Sequence, residues 1–201
     1  MDHYLTIELE GEAVYTDRGS KFISYGFPVN SIDEFKKRLA QIKKEHPKAV
    51  HHCFAYRLGL TGDLYRANDD GEPSGTAGKQ ILGQIDSRQL INIGVIVVRY
   101  FGGTLLGVPG LIKAYKTSAS LVLQTIPIIN KAVEIQLIIH FPYERLGHVL
   151  KIVKYLGATI LERGDGLFPY LKVNIAAGRA DEFFEKIEGI EQVEVKKIVT
   201  L

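Results

Sequence analysis

The sequence predicts an α+β protein of two domains, residues 1–130 and 131–201. Three observations predict it. Strand-like and helix-like periodicities alternate as far as Ile126. Pro127 and the Ile128-Ile-Asn-Lys131 stretch then break the pattern. After the break a second, self-contained series of elements begins.

Tyr4 to Tyr15 and Lys21 to Val29 read as two strands, with Thr16-Asp-Arg-Gly19 supplying the turn. Ser31, with Glu34 three residues later, forms a capping box that opens a helix. Ile32, Phe35, Leu39 and Ile42 are its apolar stripe, Lys36, Lys37, Lys43 and Lys44 flank or oppose that stripe, and Pro47 stops the helix. Val50 to Leu58 is a strand. A Gly-rich loop over Asn68 to Gly78 leads into a short helix marked by Ala77, Ile81, Leu82 and Ile85. Ile91 to Tyr100 is apolar and β-branched, the composition of a strand buried on both faces. A second Gly-rich loop, Phe101 to Gly110, precedes a longer helix carried by Ile112, Tyr115, Ala119, Val122 and Ile126.

Beyond the break, Ile135, Leu137 and Ile139 alternate as a strand, and Leu146, Val149, Leu150 and Val153 form a helix ended by Gly157. Ala158 to Glu162 and Leu171 to Ile175 are strands joined by Arg163-Gly-Asp-Gly166. Phe183, Phe184 and Ile187 form a helix, and Gln192 to Val199 the last strand. The order is βαββαβ, the ferredoxin-like arrangement.

Composition narrows the function classes. The chain has 201 residues, 46% hydrophobic and 24% charged, which excludes disordered, collagenous and fibrous classes. Cys53 is the only cysteine, so neither an internal disulfide nor a multi-thiolate zinc site can form. No apolar run approaches the ~20 residues of a spanning helix, and the start lacks the regions of a signal peptide. The expectation is a soluble, reducing, cytoplasmic protein with no membrane partner. Up to Lys131 there are 16 basic and 13 acidic residues, and beyond it 9 and 10. Neither part has the bulk charge of a dedicated nucleic-acid binder, although a local basic face serves the same purpose.

The loop Asn68-Asp-Asp-Gly-Glu-Pro-Ser-Gly-Thr-Ala-Gly-Lys79 is the most unusual segment. Its glycines allow close backbone approach, and it feeds a helix start whose free N–H groups favour an anion. Gly75, Thr76 and Gly78 are therefore candidate anion ligands, with Lys79 adding charge in the first turn. Asp69, Asp70 and Glu72 offer oxygens for a divalent cation that bridges to phosphate. The spacing matches neither the P-loop nor the esterase elbow. The plain alternative is a self-bonded loop whose acids cap nearby amides.

The second loop, Arg99-Tyr-Phe-Gly-Gly-Thr-Leu-Leu-Gly-Val-Pro-Gly110, leaves the carboxyl end of a predicted buried strand, a frequent ligand position in α/β proteins. Arg99 can hold a phosphate, Tyr100 and Phe101 can stack on bases, and Gly102 and Gly103 give a permissive backbone. Lys113 and Lys116 share a helical face. The alternative is aromatics divided between core and surface, with solvated lysines. His51 and Cys53 share one strand face and His52 takes the other. Packing, metal binding and Cys–His catalysis all remain open for this trio.

These segments together resemble the IMPACT family in its bacterial branch. The stretches are Ser20-Lys-Phe-Ile23, His46-Pro-Lys-Ala-Val-His-His-Cys53, Asp69-Asp-Gly-Glu-Pro-Ser-Gly-Thr-Ala-Gly78, Val98-Arg-Tyr-Phe-Gly-Gly-Thr-Leu-Leu-Gly107 and Gly110-Leu-Ile-Lys-Ala-Tyr115. The resemblance implies a first domain with a ribosomal-protein-like βα fold, similar to domain four of elongation factor G, and a second similar to its domain five. Eukaryotic relatives regulate translation by competing for an activator of a starvation-responsive kinase. That partner is not carried over, because those relatives bear a different extra domain.

Three functions compete. The first is a translation-linked module that binds RNA or the ribosome through Lys79, Arg99, Lys113 and Lys116. The second is a protein-interaction adaptor that uses the edge of the ferredoxin-like sheet. The third is a hydrolase-type enzyme centred on His52, Asp69, Asp70 and Glu72. The ranking follows that order, with no enzyme activity, cofactor or resident metal assigned.

Overall fold

A computed structural model describes residues 2–166 and 168–198. Its chain divides into two compact units, residues 4–131 and residues 132–198 with Asp2 and His3. Helices and antiparallel sheets are combined in both, an α+β chain.

The larger unit is built on one five-stranded antiparallel sheet. Its strands are β2 (Gly11–Asp17), β3 (Ser20–Pro28), β4 (His51–Leu58), β5 (Leu64–Asn68) and β6 (Ile93–Tyr100). They lie in the order β2-β3-β6-β4-β5. The apolar run read as a two-sided strand is the middle one, paired with β3 and β4 and buried along all but its last residue. Three helices supply the two covers. The helix α1 (Ile32–Glu45) lies on one face, and α2 (Gly78–Asp86) and α3 (Gly107–Thr125) on the other.

Side-chain alternation explains the division. Ile96 and Val98 of β6 join Phe54, Tyr56 and Leu58 of β4 in a core with Phe35 and Ile42 of α1. Val95 and Val97 join Cys53 and Ala55 in a core with Ile81, Ile85, Tyr115 and Val122 of α2 and α3. The Ser31 cap of α1 forms as expected, with the Glu34 N–H donating to the Ser31 hydroxyl, but the Glu34 carboxylate accepts from the N–H of Asn30, one residue before the cap. Arg18 and Gly19 have φ of +46° and +80°, the pair of positive values that a tight hairpin turn between β2 and β3 demands.

Three elements differ from expectation. The first strand is broken at Glu8–Glu10, and β1 (His3–Ile7) leaves the main sheet. It pairs instead with β7 (Ile128–Ala132), so the stretch read as a boundary is a strand. The segment Leu64–Asn68, read as part of no strand, is β5.

The smaller unit runs β8 (Glu134–His140), α4 (Leu146–Tyr155), β9 (Thr159–Gly164), β10 (Tyr170–Ala176), α5 (Ala180–Glu188) and β11 (Glu194–Ile198). The sheet order is β11-β8-β10-β9, all antiparallel. Leu137 and Ile139 of β8 and Leu171, Val173 and Ile175 of β10 face Val149, Val153, Phe183 and Ile187 of the two helices. The expected last strand extended to Val199, which lies outside the described residues.

Candidate functional site

Two Gly-rich loops flank the end of β6, and one buried carboxylate ties them together. Glu72, from the first loop, accepts from Arg99 Nη1 at 2.6 Å and from the Tyr115 hydroxyl at 2.7 Å. Arg99 is the penultimate residue of β6 and Tyr115 belongs to α3, so one acid joins loop, strand and helix. His51 Nε2 lies 3.7 Å from the same oxygen, and its Nδ1 donates to the Asp70 carbonyl at 2.7 Å. The Arg99 guanidinium lies beside the rings of Phe22 and Phe101, 5.6 and 5.9 Å from their centroids.

Asp69 performs a different task. Its carboxylate accepts from the N–H groups of Gly75, Ala77 and Gly78 at 2.8–3.0 Å. These are the amides that opened α2 to an anion, and the chain's own side chain occupies them. The expected anion role of Gly75, Thr76 and Gly78 is corrected accordingly. The loop is self-bonded, and the Thr76 hydroxyl donates within it to Pro73. Asp69 also offsets the unfavourable position of the exposed Lys79 in the first turn of α2. Replacing Asp69 with alanine strands three amides at a helix start. The expected loss is about 2–3 kcal/mol of stability in urea unfolding, with α2 the first segment to gain amide exchange.

Asp70 turns to the other face of the sheet. Its carboxylate accepts from the His52 N–H at 2.7 Å and lies 3.5 Å from Lys43 of α1. The three acids read as one cation site are thus spent on separate partners, and no cluster suited to a metal ion occurs among the described residues. Of the four residues read as a catalytic centre, His52 and Asp70 meet, Nδ1 to Oδ2 at 3.8 Å, whereas Asp69 and Glu72 are held by other partners. Burial, with Lys43 nearby, lowers the His52 pKa against the opposing pull of Asp70.

Two further expectations are revised. Arg99 is buried and neutralised by Glu72, so it presents no free charge to a phosphate. Tyr100 projects to the α1 face, where its hydroxyl bonds to His46 Nδ1 at 2.9 Å, and Tyr25 holds His46 Nε2 at 2.7 Å. It is a member of a Tyr–His–Tyr chain, and Arg99 and Tyr100 face opposite ways. Gly102 is exposed but packed against the β2–β3 turn, where a Cβ would meet the Gly19 carbonyl carbon at 1.8 Å. Gly103, Lys113 and Lys116 remain exposed.

Cys53 is packed, not reactive. Its thiol donates to the Asp69 carbonyl at 3.0 Å and lies 3.3 Å from the Tyr115 hydroxyl. Burial pushes its pKa up, against the lowering effect of the Tyr115 hydrogen bond. A thiol whose pKa is raised by folding adds stability below its unfolded value, about 8.5, and that stability drains as pH rises. From pH 8.5 to 9.5 the protein is expected to lose about 1 kcal/mol more than a Cys53→Ala variant, measured by urea unfolding. Equal slopes for the two proteins would contradict this.

Sequence reasoning named Phe101, 48% exposed, as a stacking residue but missed the Arg99–Glu72–Tyr115 network and the exposed Leu105, at 82%, and Val108, at 51%. The signal for the second group was present. Three large apolar residues on a Gly-rich loop do not face a core in regular alternation.

The comparisons bear on the same segments. The Impact N-terminal domain family matches residues 18–123, which contain every residue of the Glu72 and Asp69 networks. IMPACT family member YvyE of Bacillus subtilis is 40% identical over 128 residues, 64% of this chain and 59% of the relative. IMPACT family member YigZ of Escherichia coli is 31% identical over 170 residues, 84% of this chain and 83% of the relative. The chain therefore spans rather less than two thirds of the Bacillus relative's length. A crystal structure described as a hypothetical protein superposes with a TM-score of 0.77 at 28% identity, covering 99% of this chain and 98% of that one. On the family match and the Escherichia relative together, the chain belongs to the IMPACT family.

Proposed function

We propose that the protein is a translation-linked binding module that contacts RNA or the ribosome through the loop after β6 and the exposed face of α3. One observation carries the reading. Phe101 and Leu105 are exposed on the glycine-jointed loop at the end of the central strand, and Val108 is exposed in the first turn of α3. Lys113 and Lys116 follow on the same helix, without an ion-pair partner among the described residues. Apolar side chains held in water beside unpaired cations are what a stacking and phosphate-binding surface requires. Lys79 is exposed and unpaired in the same sense. Gly103 gives the loop its turn at φ +85°.

The finer fold reading belongs to the same proposal. The larger unit is read as the ribosomal-protein-like βα domain, and the smaller unit, from its element and strand order, as ferredoxin-like. The domain limits 1–130 and 131–201 and a cytoplasmic location go with it. No described helix is long and apolar enough to cross a membrane.

The test is binding of a labelled single-stranded RNA at several salt concentrations. Lys113→Glu with Lys116→Glu is expected to weaken binding at least tenfold at about 0.1 M salt and to flatten the log–log salt slope by about 1.4. Unchanged affinity and slope would defeat the proposal. A second reading, a protein adaptor through the smaller unit, is favoured by β9, an edge strand whose Ile160 and Leu161 are both exposed.

A further inference from the structure

We propose that the open edge of β5, with the groove between β5 and α1, receives an acidic peptide segment in extended conformation. The edge is the first observation. β5 ends the five-stranded order with only β4 beside it, and Leu64, Tyr65, Arg66 and Ala67 are all exposed. Every second backbone N–H and C=O of such a strand points outward without a ladder partner. Arg66 is its single charged residue.

The groove is the second observation and is independent of the first. It encloses about 280 Å³ on the α1 face of the sheet. Phe35, Phe54 and Tyr56 form its floor, with the Phe35 ring 5.0 and 4.8 Å from the other two. Lys36, Lys43 and Arg66 stand on its rim against one acid, Asp70. Lys43 lies 3.5 Å from Asp70, whereas Arg66 has no ion-pair partner among the described residues. Lys36 meets Asp33 at 3.7 Å, with both side chains mostly in water, where the pair gains little.

Together these features select a partner. A strand added to β5 directs alternate side chains onto the α1 face. An apolar side chain there reaches the aromatic floor, and acids two residues before and after it reach the cations. A polynucleotide would leave the strand edge unpaired, and the floor aromatics, buried and tilted or stacked against one another, present no open ring face to a base. This surface lies on the face opposite α3, so it does not depend on the RNA reading.

The experiment uses the full chain and a fluorescein-labelled peptide in which Glu, Leu and Glu alternate with Thr. Fluorescence anisotropy reads affinity, and hydrogen exchange maps the contact. The expected result is saturable binding that weakens with salt, slowed exchange confined to β5 and the groove, and a tenfold or greater loss in Lys36→Glu with Arg66→Glu. A peptide with Lys in place of Glu is expected not to bind. The exchange map of the free variant shows whether its fold is kept, and Arg66→Gln alone, expected to lose several-fold, serves if it is not. Absence of binding at about 1 mM peptide, equal affinity for the Lys peptide, or protection elsewhere would overturn the proposal. So would an RNA oligonucleotide that protects β5. The Lys113→Glu, Lys116→Glu variant is expected to bind the peptide like the parent protein, which keeps the two proposals separable.

Discussion

Glu72→Ala is expected to destabilise the larger unit by about 3–5 kcal/mol, the largest effect of any single carboxylate in this chain. Two losses combine. The Arg99 guanidinium, whose side chain is only 7% exposed, is left as an uncompensated buried charge. The Tyr115 hydroxyl, fully buried in α3, loses its acceptor. Urea unfolding followed by circular dichroism measures the change. The partner substitution sharpens the argument. Arg99→Met in the Glu72→Ala background removes the stranded charge and keeps volume beside Phe22 and Phe101, so the double variant is expected to regain much of the loss. A single-variant cost under about 1 kcal/mol, or no recovery in the double, would show that the pair does not hold the loops.

Gly102→Ala is expected to be the most disruptive small substitution at the surface. The new Cβ would fall 1.8 Å from the Gly19 carbonyl carbon and 2.1 Å from the Ser20 nitrogen. Both are backbone atoms of the β2–β3 turn, so no side-chain rotation relieves the clash, and the loop must withdraw. The expected cost is about 2–3 kcal/mol, together with a several-fold loss of RNA affinity as Phe101 and Leu105 move. Gly103→Ala is the matched control. Its Cβ would meet nothing, and only its φ of +85° costs, by about 1 kcal/mol. An alanine scan in which Gly103 proves more sensitive than Gly102 would contradict the packing described for this turn.

Much of the fold was legible because its signals are local. Ser31 and Glu34 mark the start of α1 within four residues, and Ile93–Tyr100 is apolar enough to be recognised as a strand covered twice. The missed strands lack that kind of signal. β5 is five residues long, follows three positions rich in Gly and Asp, and is exposed on almost every residue, so no periodicity reveals it. β7 follows Pro127 and is defined by its pairing with β1, more than a hundred residues earlier. The site shows the same division. That acids in the Asp69–Glu72 loop cap their own amides was among the readings the sequence allowed. That Glu72 reaches Arg99, 27 residues away, and Tyr115, 43 away, depends on the tertiary fold.

The strand order has a consequence for how this protein is made. β6 sits between β3 and β4, yet it emerges from synthesis after both. Until residue 100 has left the ribosome, neither β3 nor β4 has its inner partner, and the β2–β3 and β4–β5 pairs await the same insert. Completion of the sheet is therefore a single late step, and slow elongation just before Ile93 would prolong the interval in which β3 and β4 can pair wrongly.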